Sequence, residues 1–334
     1  MFRKKMFLLS LLCVLPLVFT ANAAVAARFL GINYGPYHHG ESPGTAITDA
    51  QFLADLQTMA TKLPQYSYIR TYEVSTASRM DQLVPLAAAN FPNFKFAIGV
   101  EVTTDAAKTQ AQMQTAWNLA NTYNNVYAIV VGNECTPSDT FNPNRVADIQ
   151  TLIGYINTVK SNLTNSNVKV TTGMSYGGAN DYGNAVLNSV DIMMVHVYPF
   201  YAGPGMAGVD INNAMTNLFD PSYGFTSFVN RFAPKEVVLG ETGWPSAPTG
   251  SPYGASVPSA QNQYVYTTNL TAQLTNRNYS GFVFEAFDEA WKTSENVWGP
   301  HWGLLNADGT SKGRFGIGGS ASLPASLPLL LNDN

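Results

Sequence analysis

The chain has 334 residues, of which 46% are hydrophobic and only 12% charged, enough apolar material for one large core; a disordered or collagen-like protein is excluded. Its 18 Lys+Arg against 22 Asp+Glu give a net charge of −4, and no basic run follows the first few residues, so no nucleic-acid partner is expected. Arg3, Lys4 and Lys5 precede an apolar stretch from Met6 to Phe19 that ends in the small-residue patterns Ala21-Asn22-Ala23 and Ala24-Val25-Ala26, the layout of a signal peptide over residues 1–26. That run is short for the ~20 residues of a membrane span. The mature chain is therefore expected to be secreted (extracellular, or periplasmic/cell wall), soluble and free of stable membrane insertion. Cleavage discards Cys13 and leaves Cys135 as the only thiol, so the fold must rest on its core without an internal disulfide. Sequons open at Asn162, Asn269 and Asn278, and they matter only in a host that glycosylates secreted proteins.

From Arg28 the chain alternates short β-branched or aromatic runs with amphipathic segments as far as Lys292, without a linker. A first strand is expected over Phe29 to Tyr34, then a helix over Asp49 to Lys62, where Phe52, Leu53, Leu56, Met59 and Ala60 recur at the spacing of one buried stripe. Strands over Tyr68 to Val74 and Phe94 to Val100 flank a helix over Met80 to Asn90. Helices over Ala106 to Tyr123 and Arg145 to Leu163 flank a strand over Val126 to Glu134. Strands follow over Val168 to Ser175, Asp191 to Tyr198 and Val237 to Thr242, then a helix over Ala260 to Thr275 and an eighth strand over Gly281 to Phe287. Runs such as Tyr127-Ala128-Ile129-Val130-Val131 are apolar on consecutive residues, as in a parallel sheet covered on both faces. Eight such units predict the α/β class and a closed (β/α)8 TIM barrel, a single domain over residues 27–315, which fits the ~250 residues usual for that fold. A doubly wound sheet competes poorly, because Gly31-Ile32-Asn33-Tyr34-Gly35 lacks the third glycine and the helix start of a phosphate loop. Residues 316–334 form a Gly/Ser/Pro-rich tail of linker composition.

In such a barrel the C-terminal ends of all strands point at one mouth, so polar groups there belong together however far apart they lie in sequence. Carboxylates dominate these ends. Val130-Val131-Gly132-Asn133-Glu134 and Val238-Leu239-Gly240-Glu241 each place a glutamate directly after a buried apolar strand, on the fourth and seventh strands and hence across the mouth. One such glutamate could be structural, salt-bridged to Arg70 or Lys292; two opposite each other point to catalysis.

Several segments then resemble glycoside hydrolase family 17, the β-1,3-glucanases and β-1,3-glucanosyltransferases. They are Gly31-Ile32-Asn33-Tyr34-Gly35, Ile69-Arg70-Thr71-Tyr72, Val131-Gly132-Asn133-Glu134, Val197-Tyr198-Pro199-Phe200, Gly240-Glu241-Thr242-Gly243-Trp244-Pro245-Ser246 and the stretch from Phe284 to Lys292. The order is that of the family over nearly the whole mature chain, and the match continues into Trp302-Gly303-Leu304-Leu305. The resemblance implies that Glu134 is the acid/base and Glu241 the nucleophile. It also implies substrate contacts from Tyr34, Arg70, Tyr72, Asn133, Tyr198, Trp244, Glu285 and Lys292, with Lys292 helping to keep Glu241 ionised. Cys135, directly after the acid, departs from the family pattern.

Two carboxyl groups match what glycosidic cleavage requires: a proton for the leaving oxygen and negative charge beneath the anomeric carbon of an oxocarbenium-like transition state. The expected activity is that of a retaining endo-1,3-β-glucanase, with β-1,3-glucanosyl transfer on the same site as the alternative and a non-catalytic glucan-binding surface protein as the reading of another class. β-1,3-Glucan or laminari-oligosaccharides are the expected partners of a monomer. No cofactor and no metal is expected: His38 and His39 are adjacent, but no His-x-x-x-His spacing occurs, and a surface loop is the expected setting for both. Gly-x-Ser-x-Gly is absent, so an esterase-type nucleophile has no support.

Overall fold

In the computed structural model, which describes residues 28–201 and 207–313, eight parallel strands close into a barrel in strict sequence order. The signal segment and the tail expected from the sequence lie outside the described residues. The strands are β1 (Leu30–Asn33), β2 (Tyr68–Arg70), β3 (Lys95–Val100), β4 (Val126–Asn133), β5 (Lys169–Met174), β6 (Met193–His196), β7 (Val237–Thr242) and β8 (Gly281–Val283). The helices around them are α1 (Asp49–Lys62), α2 (Leu83–Asn90), α3 (Ala106–Thr122), α4 (Ile149–Asn162), α5 (Tyr176–Val186), α6 (Ala214–Leu218), α7 (Phe225–Phe232) and α8 (Ala260–Arg277). This is the (β/α)8 barrel expected from the alternation. No helix among the described residues is long and apolar enough to cross a membrane.

Local chemistry sets the boundaries. Thr48 and Gln51 form a reciprocal capping box that starts α1 where the sequence predicts it. The helix expected from Arg145 begins later, at Ile149, because the Asp148 carboxylate accepts the Gln150 N–H and so fixes the first turn. β2 and β8 end sooner than their apolar runs, at Arg70 and Val283, where the chain leaves the ladder to turn side chains into the mouth.

The buried side chains fall into two layers. Ile98, Ile129, Val131, Met193, Val195, Leu239 and Val283 pack outward against helix residues such as Phe52, Leu56, Leu152 and Ile156. The alternate residues Ala97, Ala128, Val130, Ile192, Met194, Val238 and Phe282 form a separate cluster that fills the bore. Below them Phe29 stacks on Tyr68 with ring centroids 4.0 Å apart and meets Tyr127 and Phe282 edge-on, plugging the N-terminal end. The bore is therefore filled beneath the mouth, and the charged side chains of the site gather at its C-terminal rim.

His38 and His39, expected together in a surface loop, have different settings. His39 is exposed, but His38 is 2% exposed and stacks on Phe287 with ring planes 4° apart. Its two nitrogens are occupied by the Ala307 carbonyl and the Asp55 carboxylate, which is why a histidine tolerates burial there.

Candidate active site

β4 and β7 carry the two glutamates, and each ladder slips register near its C-terminal end: β4 between Val130 and Asn133 against β5, β7 opposite Val195/His196 and again between Leu239 and Thr242. Such irregularities re-aim side chains at the rim of a sheet. On β4 the bend is sharp, with Gly132 at φ +77° and Glu134 at φ +46°. Only glycine fits at 132, since a Cβ there would lie 2.4 Å from the Cys135 sulfur. Glu134 itself sits in the left-handed region that non-glycine residues avoid, held by its N–H on the Gly173 carbonyl at 2.8 Å and by Asn142 donating to its carbonyl at 2.9 Å. Cys135, whose place in the pattern was unexplained, is a buried packing residue under this bend. Burial first, then the nearby Asp139, pushes its thiol up to about 12, so it stays neutral.

The bend brings Glu134 across to β7. One carboxylate oxygen of Glu134, one of Glu241 and a ring nitrogen of His196 all lie within 4.8 Å of one another. His196 Nδ1 is 2.8 Å from Glu134 Oε1 and 3.7 Å from Glu241 Oε1, so the imidazole stands between the two carboxyl groups on their inner side. The Glu134 side chain is 22% exposed, while Glu241 is 5% exposed.

Glu241 is held on three sides. Arg70 Nη1 donates to Oε1 at 2.5 Å, the Tyr72 hydroxyl to the same oxygen at 3.1 Å, and the Tyr198 hydroxyl to Oε2 at 2.8 Å. Burial alone would raise its pKa; the charges of His196 and Arg70 and the hydrogen bonds from Arg70 and Tyr198 outweigh that and bring it down to about 2. Both tyrosines respond in the opposite direction, raised well above their usual value by burial and by the anion they face, so they remain donors. Arg70 is fully buried and also donates through Nη2 to the Asn133 side-chain oxygen at 2.5 Å. That contact takes the amide oxygen and leaves its NH2 group without a hydrogen bond among the described residues.

Three expected contact residues have other settings. Tyr34 is completely buried and gives its hydroxyl to Asp55 at 2.6 Å, behind β1 rather than in the mouth. Trp244 is 1% exposed; its indole N–H donates to the Val257 carbonyl at 2.9 Å, and its ring meets Phe200 and Tyr266 beneath the rim. Lys292 pairs with Glu285 and Glu289, each at 2.5 Å, and not with Glu241, whose cation is Arg70. Glu285 is 1% exposed and its carboxyl is raised well above the usual range, by burial first and Glu289 next, although Lys292 opposes the shift. One residue of the centre, His196, was visible in the sequence only as a polar strand end, since its position opposite the two carboxyl groups depends on the closed barrel. Tyr201 and Tyr253 likewise continue the aromatic edge from Tyr198 to Trp298 without a sequence signal of their own.

Comparison with known proteins bears on this geometry. The family model for the BtgE/BtgC glycoside hydrolase domain matches residues 31–303, the whole barrel. The chain belongs to this family. It is 27% identical over 282 residues to a glucan 1,3-beta-glucosidase of Schizosaccharomyces pombe, covering 80% of this chain and 81% of that protein. To a putative glucan endo-1,3-beta-glucosidase of Aspergillus niger it is 26% identical over 242 residues, 64% of this chain but only 33% of that longer relative. Among solved structures, a glycoside hydrolase family 17 beta-1,3-glucanosyltransferase from Rhizomucor miehei superposes with a TM-score of 0.69 at 25% identity, over 85% of this chain and 96% of that one. The resemblance to family 17 holds, and membership makes the protein a glycoside hydrolase rather than a non-catalytic barrel.

Because Trp244 is enclosed by other aromatics, Trp244→Ala is expected to lower stability by about 3–5 kcal/mol, the usual cost of emptying an aromatic core position. Chemical denaturation measures that loss, while the KM of the folded variant for a glucan should remain within about twofold if the ring touches no sugar.

Proposed function

We propose that the protein is a secreted, retaining glycoside hydrolase that cleaves β-1,3-glucan through a covalent glucosyl-enzyme intermediate, with Glu241 as nucleophile and Glu134 as acid/base. The observation that carries this reading is the approach of the two carboxyl groups to within 4.8 Å, which suits the ~5–5.5 Å of retaining enzymes and leaves no room for the water of an inverting one. The depressed pKa of Glu241 supports its role as the anion beneath the anomeric carbon. The greater exposure of Glu134 supports that of the proton carrier.

In the first step a Glu241 oxygen bonds to the anomeric carbon as the bond to the leaving oxygen breaks, and that oxygen takes the proton of Glu134. The ester consumes the charge of Glu241, so the repulsion felt by Glu134 falls and its carboxylate can accept a proton from the incoming acceptor. The acceptor oxygen then bonds to the anomeric carbon, Glu241 leaves as carboxylate, and the configuration is retained after two inversions. Asn133, its oxygen bound to Arg70, can donate to the sugar 2-hydroxyl, a contact that strengthens in the transition state.

The similarity to a glucanosyltransferase favours a second outcome on the same residues, in which a sugar hydroxyl rather than water ends the cycle. Incubation with laminarin distinguishes them: hydrolysis gives shortened β-configured reducing ends by early proton NMR, and transfer gives products longer than the starting oligosaccharides by mass. Early α-configured products, or cleavage of cellulose with laminarin untouched, would overturn the reading. A monomer and an exported mature chain belong to the same proposal; culture fractionation and light scattering test them.

Asn133→Ala should lower kcat with little change in KM, by about 10²- to 10³-fold if the 2-hydroxyl contact is worth the several kcal/mol typical of such bonds. A 2-deoxy glucoside supplies the control: the variant and the parent should differ far less on it than on the normal substrate.

A further inference from the structure

Away from Glu134 and Glu241, the loop after β1 brings two imidazoles against one carboxylate on α1. Asp55 is 3% exposed, and its two oxygens are used differently. Oδ2 accepts the Tyr34 hydroxyl at 2.6 Å and lies 2.9 Å from His38 Nε2. Oδ1 makes no hydrogen bond among the described residues; His39 Nε2 faces it at 3.8 Å, beyond hydrogen-bond reach. One donor atom from each of the three residues lies within 4.8 Å of the others.

The surroundings of His38 are those of a held ligand. Its Nδ1 donates to the Ala307 carbonyl at 2.6 Å, and its ring is clamped flat on Phe287 at 4.1 Å between centroids. An imidazole that gives one N–H to a backbone carbonyl has its tautomer and orientation fixed for binding through the other nitrogen. The carboxylate is likewise oriented by a neighbour, the Tyr34 hydroxyl. The side chain of His39, 40% exposed, leaves an approach from solvent and an open position for water.

We propose that His38 Nε2, His39 Nε2 and the Asp55 carboxylate bind a transition-metal dication of the zinc type, with water completing the shell. Metal–nitrogen and metal–oxygen bonds of ~2.0–2.2 Å put tetrahedral donors ~3.3–3.5 Å apart. The 3.8 Å gap therefore closes, and the 2.9 Å between His38 Nε2 and Asp55 Oδ2 opens, by a few tenths of an ångström each. The proton on His38 Nε2 passes to solvent as the ion takes that lone pair, and Asp55 exchanges a hydrogen bond for a metal bond. Two imidazoles and a carboxylate suit zinc or copper better than calcium or magnesium, which take oxygen donors. The ion would fasten the β1 loop to α1 and, through the His38–Ala307 contact, to the closing segment after β8.

The test uses the chelator-stripped full chain titrated with zinc chloride alone. The expected result is 1:1 binding at micromolar or tighter concentration, a rise in Tm of several degrees from mass action, and an X-ray absorption signature of two imidazoles. His39→Ala should change the metal-free Tm by no more than a degree or two, since the ring is 40% exposed and makes no hydrogen bond, and weaken zinc binding by at least about tenfold. Absence of any zinc effect on Tm overturns the proposal. So does equal affinity in His39→Ala, which would put the ion elsewhere, with the Glu134–His196–Glu241 cluster as the competing locus.

Discussion

Glu241→Gly should reduce turnover of laminari-oligosaccharides by ~10⁴-fold or more, the scale on which enzymes lose rate when a nucleophile is removed. Azide should then restore turnover of an activated β-glucoside and yield the α-glucosyl azide, because the small anion enters the space left by the carboxylate and attacks from that side. Glu134→Ala gives the complementary result. A substrate with a good leaving group still forms the ester on Glu241, and azide, free of any need for base assistance, collapses onto it to give the β-azide. Mass spectrometry with proton coupling constants reads both. Hydrolysis undiminished in Glu241→Gly, or a β-azide from it, would reassign the nucleophile.

Arg70→Met is the second large effect, and it divides into stability and pH dependence. Arg70 is fully buried, pairs with Glu241 and anchors Asn133, so its loss leaves a buried carboxylate without its cation, typically about 3–5 kcal/mol. In the parent protein Glu241 titrates near 2 when folded and near its ordinary 4.5 when unfolded. Its ionisation therefore contributes stability that is fully present above about pH 4.5 and is lost as pH falls toward 2. In Arg70→Met burial is opposed by His196 and Tyr198 without Arg70, so the folded pKa rises and that contribution shrinks. The acid limb of kcat/KM should move to higher pH with it, because a protonated Glu241 cannot attack. Denaturation at pH 3 and pH 7, together with a pH–rate profile, checks both parts; an acid limb at the parent's position would show that Arg70 does not govern the nucleophile.

The barrel was legible because its strands are apolar on both faces and its long helices carry buried stripes, signals written in neighbouring residues. α5 was not. Its sequence, Tyr-Gly-Gly-Ala-Asn-Asp-Tyr-Gly-Asn-Ala-Val, holds three glycines that weaken a helix. Gly183 is there because Phe232 of α7 presses so close that a Cβ would lie 2.4 Å from its ring, a demand that comes from a residue 49 positions away. In the mouth, residue type at a strand end was enough to mark Glu134 and Glu241. Which neighbours serve them was not readable: Trp244 and Tyr34 lie close in sequence to mouth residues yet turn under the rim, and Lys292 finds two partners of its own. Such assignments depend on side-chain direction after the strand leaves its ladder.

The ring of charge around the mouth carries a further consequence for the polymers it can admit. The permanent cations there, Arg70 and Lys292, are both engaged, Arg70 by Glu241 and Lys292 by Glu285 and Glu289. No free positive group waits among these residues for a uronate or a sulfate ester. An acidic polysaccharide approaching this opening is expected to lose hydration with no free cation to compensate it, whereas a neutral homopolymer brings only hydroxyl groups. The same cage that keeps Glu241 ionised is thus expected to discriminate by charge before any linkage is read.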